Sequence, residues 1–258
     1  MDKQLNHPQR RHNADHAACN LNTLVTHADI VIDPLADIHA GRDELTFQPR
    51  ETIFRAQTPA SRVIFIRSGF VKLVKYSHTG AQRIVRIVTD GGILGMESLF
   101  SSSFEHTAVA ISQVTAGRIP ADQFRSMVHA NPALQRHLLE CSCRTLGETE
   151  TWLSDITGGN SSTRERLARL LLRLRDGDSN RIHRFSLEDI GAMLGVAIET
   201  ACRILSELIR SGTLTKCRTG AATRYYLADI AALERVATGA EGRSVTAELR
   251  RANRLHSN

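Results

Sequence analysis

A carboxylate, a thiol and a guanidinium stand close together at Glu199, Cys202 and Arg203. Residues four apart on a helix share a face. Glu199 and Arg203 can therefore pair with each other, a contact worth about 0.2–0.5 kcal/mol, or point an acceptor and a forked donor outward. Both can hold, with the pair orienting the arginine. Pointed outward, the set suits the edges of bases: a glutamate accepts from cytosine N4, and an arginine donates two bonds to guanine O6 and N7. Cys202 beside them adds a thiol whose oxidation to a charged acid would oppose a polyanion. Thr200, Lys216, Arg218 and Arg224 have the chemistry of phosphate contacts, which position a partner without reading its sequence.

The elements that must hold these groups are legible around them. Ser186 with Asp189 three residues on makes a capping-box-like helix start. Gly191 is small where two helices would cross, and Gly195 permits a left-handed turn between them. Ile190, Leu194, Val196, Ala201 and Ile204 fall at positions that bury between the two helices, leaving Ile198, Glu199, Cys202 and Arg203 outside. That is the helix-turn-helix pattern. Behind it, Thr213-Leu214-Thr215-Lys216, a turn at Gly220 and Arg224-Tyr225-Tyr226-Leu227 read as a β-wing.

Charge agrees with this reading. Residues 1–160 hold 16 Lys+Arg and 16 Asp+Glu, whereas residues 161–258 hold 17 against 11. The whole excess of +6 thus sits in the last hundred residues or so, the footprint of a module that meets a polyanion. No apolar run reaches the roughly 18 residues of a membrane span, and the start, MDKQLNHPQRRHN, has no signal-peptide core. Five cysteines form no paired framework, against a secreted disulfide scaffold. The expectation is a cytoplasmic protein without membrane association.

Upstream the pattern changes twice. From Leu45 to about Pro120, short β-type runs alternate with turn residues: Val63–Ile66, Phe70–Val74 and Arg83–Val88, punctuated by Ser68-Gly69, Thr79-Gly80 and Asp90-Gly91-Gly92. Strands at this spacing predict a jelly roll. After Pro132 a single long helix is expected from Ala133 to Ile156, with a face free to pair with a second copy. Ser161-Ser162-Thr163 caps the next helix, whose Leu167, Leu170, Leu171 and Leu174 share a side. The fold class is α+β, in five parts: an arm over 1–40, a β-roll sensor over 41–131, a dimerisation helix over 132–158, a winged helix-turn-helix over 161–240 and a basic tail over 241–258.

In that order the parts resemble the Crp–Fnr transcription regulators. The matching residues are Ile64-x-Ile66-Arg67-Ser68-Gly69-x-Val71-Lys72, Glu165-Arg166-Leu167-Ala168 and Glu199-Thr200-x-x-Arg203-x-Leu205. The chain looks closer to the fumarate–nitrate reduction branch than to the cyclic-AMP receptor. The resemblance implies a homodimer paired through the long helix, reading a palindromic double-stranded DNA site in successive major grooves, with RNA polymerase as partner. It carries Glu199 and Arg203 over as base readers. Cys202 departs from the serine common in the oxygen-sensing branch.

The resemblance also specifies effector sites to test. A cyclic-nucleotide pocket needs a glutamate for the ribose and Arg-Ser for the phosphate; here Met96 and His106-Thr107 stand in those places. A neutral histidine cannot make arginine's bidentate clamp, so cyclic AMP is not expected, although a one-residue slip would bring in Glu97. An oxygen-sensing iron–sulfur cluster needs four thiolates, and only Cys19 lies in the arm, with Gly117 where the roll cysteine belongs. Haem stays open, with no ligand indicated among eleven histidines. His12, His16 and Cys19 have helical spacing that suits a metal, but in a polar arm they read first as solvated groups. Cys141 and Cys143 must face different ways, one towards packing.

Two other classes compete. One is a ligand-sensing module acting on a protein partner, which the basic helix-turn-helix disfavours. The other is an enzyme, for which there is no GxSxG, P-loop, HExxH or dinucleotide fingerprint.

Overall fold

Alternation of period two builds the first half of the fold, in a computed structural model that describes residues 44–78, 80–157, 161–175, 179–219 and 223–240. The readings of residues 1–40 and 241–258, His12, His16 and Cys19 among them, fall outside these. Among the described residues the strands of this half are β1 (Glu44–Phe47), β2 (Thr52–Phe54), β3 (Arg62–Ser68), β4 (Val71–Tyr76), β5 (Gln82–Val88), β6 (Ile93–Leu94), β7 (Thr107–Ala110) and β8 (Val114–Pro120). They pair antiparallel into two four-stranded sheets, ordered β1-β8-β3-β6 and β2-β7-β4-β5. A 3-10 turn at Met96–Leu99 interrupts the expected succession of strands.

Strand β3 shows how one sequence covers both faces of its sheet. Ile64 and Ile66 point into the roll, against Phe54 and Phe104, whose rings stack with centroids 3.9 Å apart. Val63 and Phe65 point the other way, under two helices. These are α1 (Ala121–Ala130) and α2 (Pro132–Thr157). Phe124 of α1 meets Phe65 edge-on at 5.8 Å. Asn131 starts α2 by accepting from the Ala133 and Leu134 N–H groups at 3.0 and 3.1 Å, and Pro132 fits the first helical position, where no N–H is needed.

Only one side of α2 finds a core. Leu134, Leu138 and Cys141 are buried, whereas Leu139, Leu146 and Leu153, seven residues apart in turn, are about 60% exposed (66%, 60% and 59%). Cys141 and Cys143 do face different ways, the first 4% exposed with its Sγ 3.4 Å from His137 Nε2, the second open to solvent.

The last third comprises α3 (Thr163–Arg173), β9 (Arg181–His183), α4 (Leu187–Leu194), α5 (Ile198–Arg210), β10 (Leu214–Thr219), β11 (Thr223–Ala228) and α6 (Ile230–Ala237). Ser162 caps α3 by accepting from Glu165 N–H at 3.2 Å, and Leu167, Leu170, Leu171 and Leu174 are all buried, as expected. The wing has a third strand that the sequence reading lacked, for β9 pairs with β11. The α+β architecture of roll, long helix and winged helix-turn-helix is therefore present.

The two halves share a core. Val74 and Ile84 of the second sheet, 0% and 1% exposed, pack in one cluster with Leu167, Ile190, Leu194 and Ile204. Full burial of a side chain of this size contributes about 1.5–3 kcal/mol. Beside them, Lys72 of β4 donates to Asp189 of α4 at 2.5 Å, with side chains only 14% and 11% exposed. Phe70 stacks on His183 at 4.7 Å, and Phe185 closes the group edge-on. Burial pushes the His183 imidazole below its ordinary value, with Asp189 opposing the shift, so the stack holds a neutral ring at neutral pH.

Candidate nucleic-acid interface

The site is built from the start of α4 onwards. Ser186 Oγ accepts from the Asp189 N–H at 3.0 Å and donates to Asp189 Oδ2 at 2.8 Å. Oδ2 thus serves the helix start while Oδ1 holds Lys72. At the other end Gly195 adopts φ 67°, ψ 40° and its N–H bonds to the Gly191 carbonyl, the left-handed stop that glycine makes at little cost. Gly191 is required for closeness, because a Cβ there would stand 2.9 Å from the Val196 carbonyl oxygen. Turn and crossing therefore follow the sequence expectation at both glycines.

Helix α5 is divided into two faces. Ala201, Ile204, Leu205 and Leu208 are buried, which fixes the helix against α4 and the wing. Glu199, Cys202 and Arg203 are exposed together with Ile198, at 48%. Thr200 is half-buried and Lys216 exposed, while the side chains of Arg218 and Arg224 fall outside the described set. Ile190, Leu194, Ala201 and Ile204 bury as expected; Val196 stays half-buried, at the rim of the turn.

One pairing differs from expectation. Arg203 Nη1 donates to Glu207 Oε1 at 2.9 Å, not to Glu199. Glu207 is half-buried, its side chain 35% exposed, whereas Glu199 is exposed, so Glu207 is the less hydrated acceptor. Glu199 lies in the first turn of α5, where a carboxylate is favoured by the helix dipole. Ala197 gives that helix no side-chain cap, which leaves its first N–H groups turned outward without a local acceptor. The result is a helix head with free donors, an acidic and a basic side chain, and a rigid back.

The position expected for an effector lies elsewhere, between the roll and α2. The buried Thr107 hydroxyl accepts from the Ala56 N–H at 3.1 Å. Burial, then the nearby Lys75, lowers the His106 pKa, with Glu97 and Glu105 opposing and Arg86 adding to the fall. Arg86 of β5 donates to Thr145 of α2 at 3.1 Å. Its pKa is lowered by burial and raised by Glu148. Among the described residues no group of three or more His, Cys, Asp or Glu could hold a metal ion, and no helix is long and apolar enough to cross a membrane.

Fold and presented helix together define a DNA-binding regulator with a nucleotide-type roll. Residues 44–131 match the family model of the cyclic nucleotide-binding domain, and residues 165–236 that of the Crp-like helix-turn-helix domain. The chain belongs to the Crp–Fnr family of DNA-binding transcription regulators. It is 28% identical over 183 residues to the nitrogen fixation regulation protein FixK of Bradyrhizobium diazoefficiens, spanning 68% of this chain and 75% of that one. It is 25% identical over 175 residues to the anaerobic regulatory protein of Pasteurella multocida, spanning 65% of this chain but 63% of that protein's length. In fold it resembles the structure of FixK2 from Bradyrhizobium japonicum, with a TM-score of 0.64 and 23% identity over 75% of this chain and 96% of that chain. The first two of these relatives are regulatory proteins by name.

Proposed function

We propose that the chain acts as a cytoplasmic homodimer that reads a palindromic duplex, each copy placing the head of α5 in a major groove. In this reading Glu199, Cys202 and Arg203 face base edges, while Thr200, Lys216, Arg218 and Arg224 hold phosphates. RNA polymerase is the partner the family implies. The observation that carries the reading is the two-faced α5: one side is spent on the core and the other is chemically armed and open.

Dimerisation is supported by the exposed Leu139, Leu146 and Leu153. Apolar residues repeating every seven positions make a coiled-coil seam, and these three keep more than half of their surface open. Leu146→Glu is expected to shift the protein from dimer to monomer in sedimentation. It should weaken binding to a palindrome far more than to a half-site. A charged seam that leaves the dimer intact would refute the pairing through α2.

Control by a cyclic nucleotide does not fit the roll. Met96 offers no ribose acceptor, and His106, held towards neutrality, cannot make the bidentate clamp that an arginine gives a phosphate. An oxidation signal is supported by the open thiol of Cys202. Two equivalents of hydrogen peroxide, each giving up one oxygen atom and leaving as water, convert it through the sulfenic acid to a sulfinate and place a negative charge at the DNA face. Peroxide treatment is expected to abolish duplex binding by the native protein and to spare Cys202→Ser; equal sensitivity of both would dismiss the role.

The reading as a whole is tested by binding a duplex, recovered by selection from a random pool, across a salt series. A steep fall in affinity with salt supports it. Salt-independent or undetectable binding would favour instead a ligand-sensing module that acts on a protein.

A further inference from the structure

The head of α5 has a neighbour from the other half of the molecule. Arg83, exposed on β5 of the roll, lays its guanidinium across the turn between α4 and α5. A Cβ on Gly195 would overlap its Nη1 and stand 2.8 Å from Cζ and 2.9 Å from Nη2. Gly195 lies three residues before the first residue of α5. Among the described residues the Arg83 guanidinium has no hydrogen bond and no ion pair. Its ladder partner across the β4–β5 hairpin is a second exposed cation, Lys75.

Left to itself this arrangement is unfavourable. Like charges directly opposite on neighbouring strands destabilise a sheet, and a guanidinium with five donors is ordinarily matched to a carboxylate or a phosphate. Here it sits instead beside the uncapped head of α5, where backbone N–H groups already turn outward. The docking of the roll is firm enough to hold it there, through Lys72 on Asp189 and the Val74 and Ile84 core.

We propose that Arg83 is a DNA-phosphate contact supplied by the sensor roll, so that the DNA footprint is made by both domains of each copy. The inference rests on the DNA-binding reading above and deepens it: the partner is the backbone of the same duplex whose bases Arg203 faces. A roll that shifts on its α4 seam would withdraw this contact without touching the recognition helix.

The test is the salt dependence of duplex binding by the full chain, using the selected duplex and an unrelated one. Arg83→Gln is expected to weaken both alike, by about fivefold at 0.15 M salt, and to flatten the log–log salt slope by about one, as the loss of one phosphate contact requires. Arg83→Lys keeps the charge and should keep the slope. In phosphate-ethylation interference, the native protein should show one phosphate per half-site whose ethylation weakens binding and whose effect Arg83→Gln loses. An unchanged slope in Arg83→Gln overturns the proposal while leaving the recognition helix in place. So does a loss shared equally by the lysine variant together with a lowered melting temperature, since that would mark a structural role. If the native protein binds neither duplex, the DNA reading itself falls and this contact with it.

Discussion

Replacing Asp189 by alanine is expected to lower the unfolding free energy by about 3–5 kcal/mol, the cost of leaving a buried charge without its partner. Two effects combine. Lys72, with its side chain 14% exposed, loses the carboxylate that holds it. Ser186 loses the group to which its hydroxyl donates at the start of α4. Urea unfolding at neutral pH measures the loss as a shift of the midpoint at unchanged slope. The paired change Lys72→Met with Asp189→Leu should recover most of it, because two apolar side chains replace two charges in a covered place. A cost below about 1 kcal/mol for Asp189→Ala would class the contact with solvent-exposed pairs and deny it any hold on the seam.

Arg203→Ala should cost about 1–3 kcal/mol of binding free energy to the preferred duplex and relax the preference at a single base pair. The geometry explains both parts. Arg203 is exposed on the outer face of α5, and its guanidinium is held in the free protein by Glu207 at 2.9 Å. In the proposed DNA complex it would enter the groove partly oriented. Arg218→Ala, on the wing, should weaken all duplexes alike and reduce the salt slope by about one. Competition binding against single-base variants of the site separates the two. If the two variants behave alike, Arg203 is a backbone contact and the direct-readout assignment fails.

What the sequence reveals of this protein is what depends on neighbours along the chain. The capping pair Ser186 and Asp189, the left-handed Gly195 and the buried stripe of α5 are local, and each is found where its spacing puts it. The pairing of Arg203 is also local but ambiguous. Acids stand four residues away on both sides, and the choice of Glu207 depends on how far each is hydrated in the folded domain. Helix α1 passes unnoticed because Phe124, Met127 and Val128 carry its apolar signal almost alone. Strand β9 has one buried residue, Ile182, and becomes a strand only when β11 supplies its partner. The seam is the extreme case, since Lys72 and Asp189 are 117 residues apart. Asp189 reads in sequence as a cap, which it is; its second oxygen is legible only in three dimensions.

The shared cluster around Val74 and Ile84 bears on how such a protein can be rebuilt. Two-domain regulators invite chimeras in which one input module is exchanged for another while the output module is kept. Here the output module has no complete core of its own, because part of its packing belongs to the second sheet of the roll. A graft would inherit an open apolar patch on α4 and a carboxylate lacking its ammonium partner. A replacement input must therefore bring the face of β4 and β5 with it, and new specificity is most safely introduced on the opposite side of the roll, beneath α2.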